Sequence, residues 1–258
     1  MGPVETAEIL AAARREGRRL PSLPAPEPLD LAAAYALQDD YTRAMGTARV
    51  GWKVGATSQL SQQALGVVEP FAGPLFENNC FAGPVSLKTP EDCMCIIEAE
   101  FAFRVGRDLP PRAEAYSREE VLRALDSLHP AIEVVDTRCL QGFDVGVRWL
   151  IADGGANLFF VHGPGTTDWR DWDLPAHPVT VEVDGAPKAS GRGANAYGDP
   201  ASVAVWLANH LRERQPGLQA GDWISTGLTT EIFSALPGDV IEADFGPLGR
   251  IELEIEAG

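Results

Sequence analysis

Two apolar runs in this chain carry glutamate where a strand ordinarily buries valine or isoleucine, and this oddity constrains the fold more than any other feature. In Cys95-Ile96-Ile97-Glu98-Ala99-Glu100-Phe101-Ala102-Phe103 the two acids stand two residues apart. Strand side chains alternate between faces, so Glu98 and Glu100 project together while Ala99, Phe101 and Phe103 face the opposite layer. In His129-Pro130-Ala131-Ile132-Glu133-Val134-Val135-Asp136 a third acid, Glu133, sits mid-run. A carboxylate buried in such a run needs a partner. Like charges at short range drive one another to hold protons unless a cation lies between them. Three carboxylates converging from two neighbouring strands make a hard-oxygen site for Mg²⁺, Mn²⁺ or Ca²⁺, with positions left for water and a bidentate substrate. The plainer alternative for Glu98 and Glu100 is the exposed polar face of an edge strand.

The surrounding texture is β-rich. Short β-branched or aromatic runs separated by Gly and Pro occupy 94–105, 131–136, 148–161, 178–184, 222–227, 239–245 and 249–256. Their length and spacing predict a mainly antiparallel assembly. Val181-Glu182-Val183 alternates strictly into Asp184-Gly185, a hairpin turn signal. A helix follows the Asp199-Pro200 start signal, and Pro216-Gly217 mark its end. The first third reads as helical: a charged helix over 4–19, a second helix from an Asp30 N-cap, and a stiff connector of Pro21, Pro24, Pro26 and Pro28 between them. This divides the chain into a helical N-terminal region, 1–75, and a β-rich catalytic core, 76–258.

Lys53 lies in Gly51-Trp52-Lys53-Val54-Gly55, between apolar neighbours and then glycines that permit close backbone approach. Partial desolvation there would lower its pKa and suit it to proton transfer or to a substrate carboxylate; the alternative is a lysine that snorkels to the surface. Other residue types point nowhere in particular. Cys93 and Cys95 are one residue apart, closer than zinc pairs are spaced, and the four cysteines read as reduced thiols. The four histidines share no spacing, and no GxGxxG motif joins a strand to a helix. Lys and Arg number 21 against 37 Asp and Glu, a net charge of −16, which argues against a nucleic-acid partner. No run approaches the ~20 apolar residues of a membrane span, and no cleavable leader stands at the start, so a cytoplasmic protein is expected.

Several blocks, in order, resemble the 2-keto-4-pentenoate hydratases of the fumarylacetoacetate hydrolase superfamily. They are Gly51-Trp52-Lys53-Val54-Gly55-Ala56-Thr57-Ser58, Leu65-Gly66-Val67, Gly73-Pro74-Leu75-Phe76, Glu98 to Phe103, Gly106-Arg107-Asp108-Leu109, Ala131 to Arg138 and Ile151-Ala152-Asp153. Gly198-Asp199-Pro200, Thr226-Gly227, Pro237-Gly238-Asp239 and Phe245 to Gly249 continue the series, which spans roughly 30–255. The resemblance implies an α+β fold, a mixed β-sandwich or roll with peripheral helices and a small helical N-terminal part. It implies a divalent cation, Mg²⁺ or Mn²⁺, on Glu98, Glu100 and Glu133, chelating the carboxylate and 2-oxo oxygens of a short unsaturated acid. Lys53 matches the family's active-site lysine, with Glu77 as a second catalytic position and Asp153, Thr226 and Thr230 as substrate-binding positions. A homo-oligomer, or a complex with a sister enzyme of the family, is implied as well.

The implied reaction starts from a 2-hydroxy-2,4-dienoate. Protonation at C5 gives a 2-oxo-3-enoate, and water then adds at C4 to give a 4-hydroxy-2-oxo acid. Three departures from the family pattern open alternatives. The acidic position two beyond Phe76 is Asn78, with Glu77 one earlier; Gly154-Gly155-Ala156-Asn157 replaces a run richer in hydroxyls; and Thr226 to Glu231 resembles the sister 4-oxalocrotonate decarboxylases equally well. The alternatives are a decarboxylase of a 2-oxo-dioic acid, and a catalytically degenerate partner subunit, which Asn78 and Gly154-Gly155 motivate; separately, the plainer reading of Asp153 and Asp136 is as supporting or ion-pair residues, with Arg138 the candidate partner.

Overall fold

The computed structural model describes residues 2–24, 30–214 and 216–258, so Pro26 and Pro28 of the expected connector lie outside the described residues. Two helices open the chain, α1 (Pro3–Arg15) and α2 (Leu31–Met45), the latter capped by the Asp30 carboxylate, which accepts from the Ala33 N–H at 2.7 Å. Leu10 and Ala11 of α1 pack on Leu37 and Tyr41 of α2, and both reach Phe76 and Trp149. α1 stops short of the expected residue 19 because Gly17 turns the backbone to φ +61°. Then come β1 (Arg49–Gly55), α3 (Gln59–Leu65), β2 (Phe71–Phe76), β3 (Cys80–Ala82) and β4 (Val85–Thr89). The glutamate-bearing strands follow as β5 (Ile96–Val105) and, after α4 (Arg118–Ala124), β6 (Leu125–Val135).

α5 (Val147–Ala152) and β7 (Asn157–His162) occupy the run read as one strand over 148–161. Its first half is helical, since a continuous apolar stretch carries no period to separate a buried strand from a buried helix. β8 (Pro178–Val183) and β9 (Ala186–Arg192) form the expected hairpin, with Asp184 and Gly185 both at positive φ. α6 (Pro200–Leu211) is capped by Asp199, which accepts from the Ala201 N–H at 2.9 Å. β10 (Trp223–Leu228), β11 (Phe233–Ser234), β12 (Val240–Asp244) and β13 (Arg250–Ala257) complete the chain.

The strands form two sheets. The larger, eight-stranded one runs β2-β1-β10-β5-β6-β7-β3 with β11 on the side of β5, and the five-stranded one runs β4-β13-β12-β8-β9. Both are mixed: β1 with β10, β3 with β7 and β4 with β13 pair in parallel, the remaining neighbours antiparallel. Phe101 and Phe103 of β5 face the shared core, with Ile241 of β12 and Leu253 of β13, as the alternation predicts. The boundary drawn at residue 75 does not separate two units. β1 and β2 are strands of the large sheet, and β1 lies against β10, so the helical reading of 1–75 holds only for α1, α2 and α3.

Candidate functional site

Strands β5 and β6 are neighbours, and their antiparallel register sets Glu98 directly opposite Glu133 and Glu100 opposite Ala131. The three acids therefore share one face of the sheet, and one carboxylate oxygen from each lies within 4.8 Å of the others. Glu100 and Glu133 are fully buried. Each has one oxygen engaged and one without a partner among the described residues. Glu100 accepts from the Ser225 hydroxyl and from the Gly227 N–H at 2.9 Å; Glu133 accepts from the Asn157 amide at 3.0 Å and faces the Lys53 ammonium at 3.3 Å. The orphaned oxygens are Glu100 Oε1 and Glu133 Oε2. Buried carboxylate oxygens are seldom left unpaired. A hard divalent cation fits this donor set, since it would satisfy both and draw the three charges together.

Backbone irregularities aim these partners. The pairing of β10 with β5 shifts register between Ser225 and Leu228, and within this bulge Gly227 takes φ +84°, which turns its N–H toward Glu100. A Cβ at 227 would lie 1.9 Å from the Thr57 hydroxyl oxygen, so only glycine fits. Lys53, 3% exposed, stands on β1 beside Ser225 of β10 and donates to the Gly155 carbonyl at 3.1 Å. A Cβ at Gly155 would press on the Gly73 backbone at 2.9 Å and on the Lys53 stem at 3.1 Å. Gly155 thus makes room for the lysine, and Gly154 for the ring of Tyr41.

Charge follows from burial. Desolvation pushes Glu133 up to about 7, with Glu98 adding to the rise and Lys53 and Asn157 opposing it. Glu100 is held well above the usual carboxylate range by burial and then by Glu133 and Glu98. For Lys53 the expected lowering is corrected. Burial alone would lower it, but Glu133, Glu98 and Glu100 outweigh that and hold the ammonium above its ordinary range. It stands as a counter-charge to the acids.

The site opens into a cavity of about 1070 Å³ bordered by Lys53, Glu98, Thr57, Asn195 and Thr230. A second cavity, of about 950 Å³, lies around Arg104, His129 and Trp223, and none of the three acids borders it. Of the substrate-binding positions expected from the sequence, only Thr230 and Lys53 border the first cavity. Glu77 is exposed on a 3-10 turn after β2 and lies outside the lining, as does the neighbouring Asn78. Asp153 is buried away from the cavity, accepting from the Arg138 backbone N–H at 2.6 Å with the guanidinium Nε at 3.5 Å. Thr226 spends its hydroxyl on the Phe101 carbonyl at 2.8 Å. Three residues went unnoticed as site residues: Asn157, which holds Glu133, Ser225, whose hydroxyl donates to Glu100, and Thr57, 2% exposed, whose buried hydroxyl borders the cavity without a partner among the described residues. The signal for Thr57 was its place two residues past the glycine that follows Lys53.

Comparison with known proteins accords with this geometry. Residues 60–256 match the family model described as fumarylacetoacetate (FAA) hydrolase C-terminal. The chain belongs to the fumarylacetoacetate hydrolase family. Over 257 residues this family member is 31% identical to a 2-keto-4-pentenoate hydratase of Paraburkholderia xenovorans, covering 98% of this chain and 94% of the relative. It is 30% identical to the 2-hydroxyhexa-2,4-dienoate hydratase of Comamonas testosteroni, over 82% of this chain and 80% of the relative. Among solved structures, the 4-oxalocrotonate decarboxylase of Pseudomonas putida G7, complexed with magnesium and adipate, superposes with a TM-score of 0.85 at 26% identity, covering 98% of this chain and 97% of that one. The fold is thus the fumarylacetoacetate-hydrolase type that the resemblance implied, and no helix among the described residues is long and apolar enough to cross a membrane.

Proposed function

We propose that this chain is a metal-dependent hydratase that adds water to a 2-hydroxy-2,4-dienoate to give a 4-hydroxy-2-oxo acid. The observation that carries the reading is the pair of orphaned carboxylate oxygens on Glu100 and Glu133, set beside Glu98 and the buried Lys53 in one cavity. Likeness to named hydratases over nearly the whole chain supports it.

Glu98, Glu100 and Glu133 would hold Mg²⁺ or Mn²⁺. Bound there, the cation supplies Lewis acidity to the carboxylate and 2-oxygen of the substrate, stabilising negative charge that develops on that oxygen. Lys53 neutralises part of the acid cluster and presents N–H protons on the same side. The Thr57 hydroxyl, without a partner among the described residues, is free to orient the substrate or the water. In the reaction the enol proton is given up, C5 gains one, and water adds its hydroxyl at C4 and its hydrogen at C3.

The decarboxylase reading draws support from the TM-score of 0.85 to the Pseudomonas putida enzyme. The degenerate-partner reading loses its motive, because Asn78 lies outside the cavity and Gly155 accommodates Lys53. A homo-oligomer, a mixed complex with a sister decarboxylase and a cytoplasmic location are carried with the proposal by family analogy.

The test is direct. With Mg²⁺ and 2-hydroxypenta-2,4-dienoate, the protein is expected to bleach the dienoate absorbance and yield 4-hydroxy-2-oxopentanoate by NMR. Release of carbon dioxide from a 2-oxo-dioic acid without hydration of the dienoate would overturn the assignment. Oxalate, a two-oxygen mimic of the chelating end, is expected to bind only with the metal present.

A further inference from the structure

We infer that the second cavity is a binding site for a small monocarboxylate with an apolar body, taken up by the guanidinium of Arg104; this stands apart from the hydratase reading. The face of the large sheet that carries the acid trio continues past it. On β5, Ala102 and Arg104 follow Glu100 on the same side, and the antiparallel register sets them opposite His129 and Ser127 of β6. On the other flank, Trp223 of β10 stands opposite Arg104. Because Ala102 and Ala131 are small, the Trp223 indole packs over them and stacks on His162 of β7, with ring centroids 4.2 Å apart. The cavity of about 950 Å³ opens over this end of the face. No described residue borders both it and the cavity of the acid trio.

Arg104 is half-buried at this cavity, and no carboxylate or carbonyl among the described residues accepts from its guanidinium. The guanidinium carbon sits over the Trp223 ring, 4.5 Å from its centroid. That contact spends none of the N–H groups, which can pair with a carboxylate through two parallel hydrogen bonds. The other polar groups are matched already. The Gly163 carbonyl, which can only accept, faces Nδ1 of His129 at 3.0 Å, so that nitrogen carries the proton and Nε2 accepts from the Ser127 hydroxyl at 2.9 Å. Burial holds His129 and His162 below the ordinary histidine range, so both rings are neutral at pH 7. Arg250 is paired with Glu242 at 2.8 Å and with Asp244 at 3.0 Å. Arg104 is therefore the unmatched cation of the cavity among the described residues, and the exposed Glu252 stands on the same border. One cation with an acid nearby suits a singly charged anion and disfavours a dianion. Pro84, Pro164 and Ile251 supply apolar wall for the body of such an acid.

The test is an isothermal titration of the full chain with benzoate, a planar monocarboxylate that lacks a 2-oxo group for chelating a metal. Benzoate is expected to bind at one site per chain, at least ~tenfold tighter than uncharged benzamide, doubly charged phthalate or inorganic phosphate, the scale of a charge-assisted bidentate pair. Arg104→Lys keeps the charge without the fork and is expected to weaken benzoate at least ~threefold, and Arg104→Gln at least ~tenfold. Glu252→Gln removes the acid on the border and is expected to tighten benzoate at least ~twofold, a gain that a misfolded variant could not give. Mg²⁺ with oxalate, directed at the acid trio, is expected to leave benzoate affinity unchanged, and benzoate is expected to shift the ring-proton NMR signals of His129 and His162. Benzoate binding that is absent, that survives R104Q, that E252Q fails to tighten, that benzamide matches, or that Mg²⁺ with oxalate abolishes overturns the inference, and each of these outcomes leaves the hydratase reading in place.

Discussion

The guanidinium of Arg14 lies 3.2 Å from the amide oxygen of Asn157, 143 residues further along, and the nitrogen of the same amide lies 3.0 Å from Glu133. Arg14 also donates to the carbonyls of Asn157 and Leu158. The first helix is thereby tied to an acid of the site through a single amide, whose orientation the guanidinium fixes. Arg14→Met should cost about 3 kcal/mol of stability, since it strips charged donors from buried acceptors. A purely structural role would stop there. A positioning role adds a loss of roughly tenfold in Mg²⁺ affinity, measured by titration at a temperature where the variant remains folded.

Glu100→Gln tests the acid trio with little disturbance of shape. The amide oxygen can still accept from the Gly227 N–H and the Ser225 hydroxyl, while one of the like charges that raise each other's pKa is removed. Without metal, the unfolding midpoint should hold or rise. Mg²⁺ at a hundredfold over its dissociation constant should stabilise the unmodified protein by about 2.7 kcal/mol, and E100Q by close to nothing. Equal stabilisation of the two proteins would remove Glu100 from the site.

Lys53→Met separates charge balance from chemistry. It leaves Glu133 buried with the Asn157 amide but no cation, and breaking a buried pair in this way costs about 3–5 kcal/mol. Mg²⁺ should restore much of that loss, because it supplies the missing positive charge. Turnover of the dienoate should nevertheless fall at least ~100-fold, the scale of a lost proton donor. Restored turnover together with restored stability would assign Lys53 to charge balance alone.

The acid trio was legible in the sequence because a glutamate in an apolar strand is costly and alternation fixes its face; the register opposing Glu98 to Glu133 then followed from the strands being neighbours. β1 and β2 were not legible. Gly51-Trp52-Lys53 and Phe71-Ala72-Gly73-Pro74 lack β-branched alternation, and every residue of β2 is buried, so no polar face marks the period. Glu77 and Asp153 failed as cavity residues for a related reason: the first follows a matched block and the second closes one, yet a 3-10 turn carries Glu77 to the surface and Arg138 claims Asp153. The parallel pairing of β1 with β10 joins segments about 170 residues apart, and no local pattern encodes such a contact.

His210 predicts an acid-side loss of stability that is independent of the metal. Its ring stacks on Trp206 at 4.8 Å and meets Tyr35 at 4.9 Å, and its Nε2 is buried without a partner among the described residues. Burial, and then repulsion from Arg214, hold its pKa down at about 4, against an ordinary 6.5. Between those two values the unfolded chain binds a proton that the folded chain refuses. The contribution is therefore complete above pH 6.5 and drains away as pH falls toward about 4, by at most roughly 1.4 kcal/mol per pH unit. His210→Phe keeps an aromatic ring in the stack and removes the titration, so urea midpoints of the variant should lose part of the slope seen in the unmodified protein across this window. Parallel slopes for the two proteins would show that the ring is protonated in the folded state, and that its neighbours accommodate the charge.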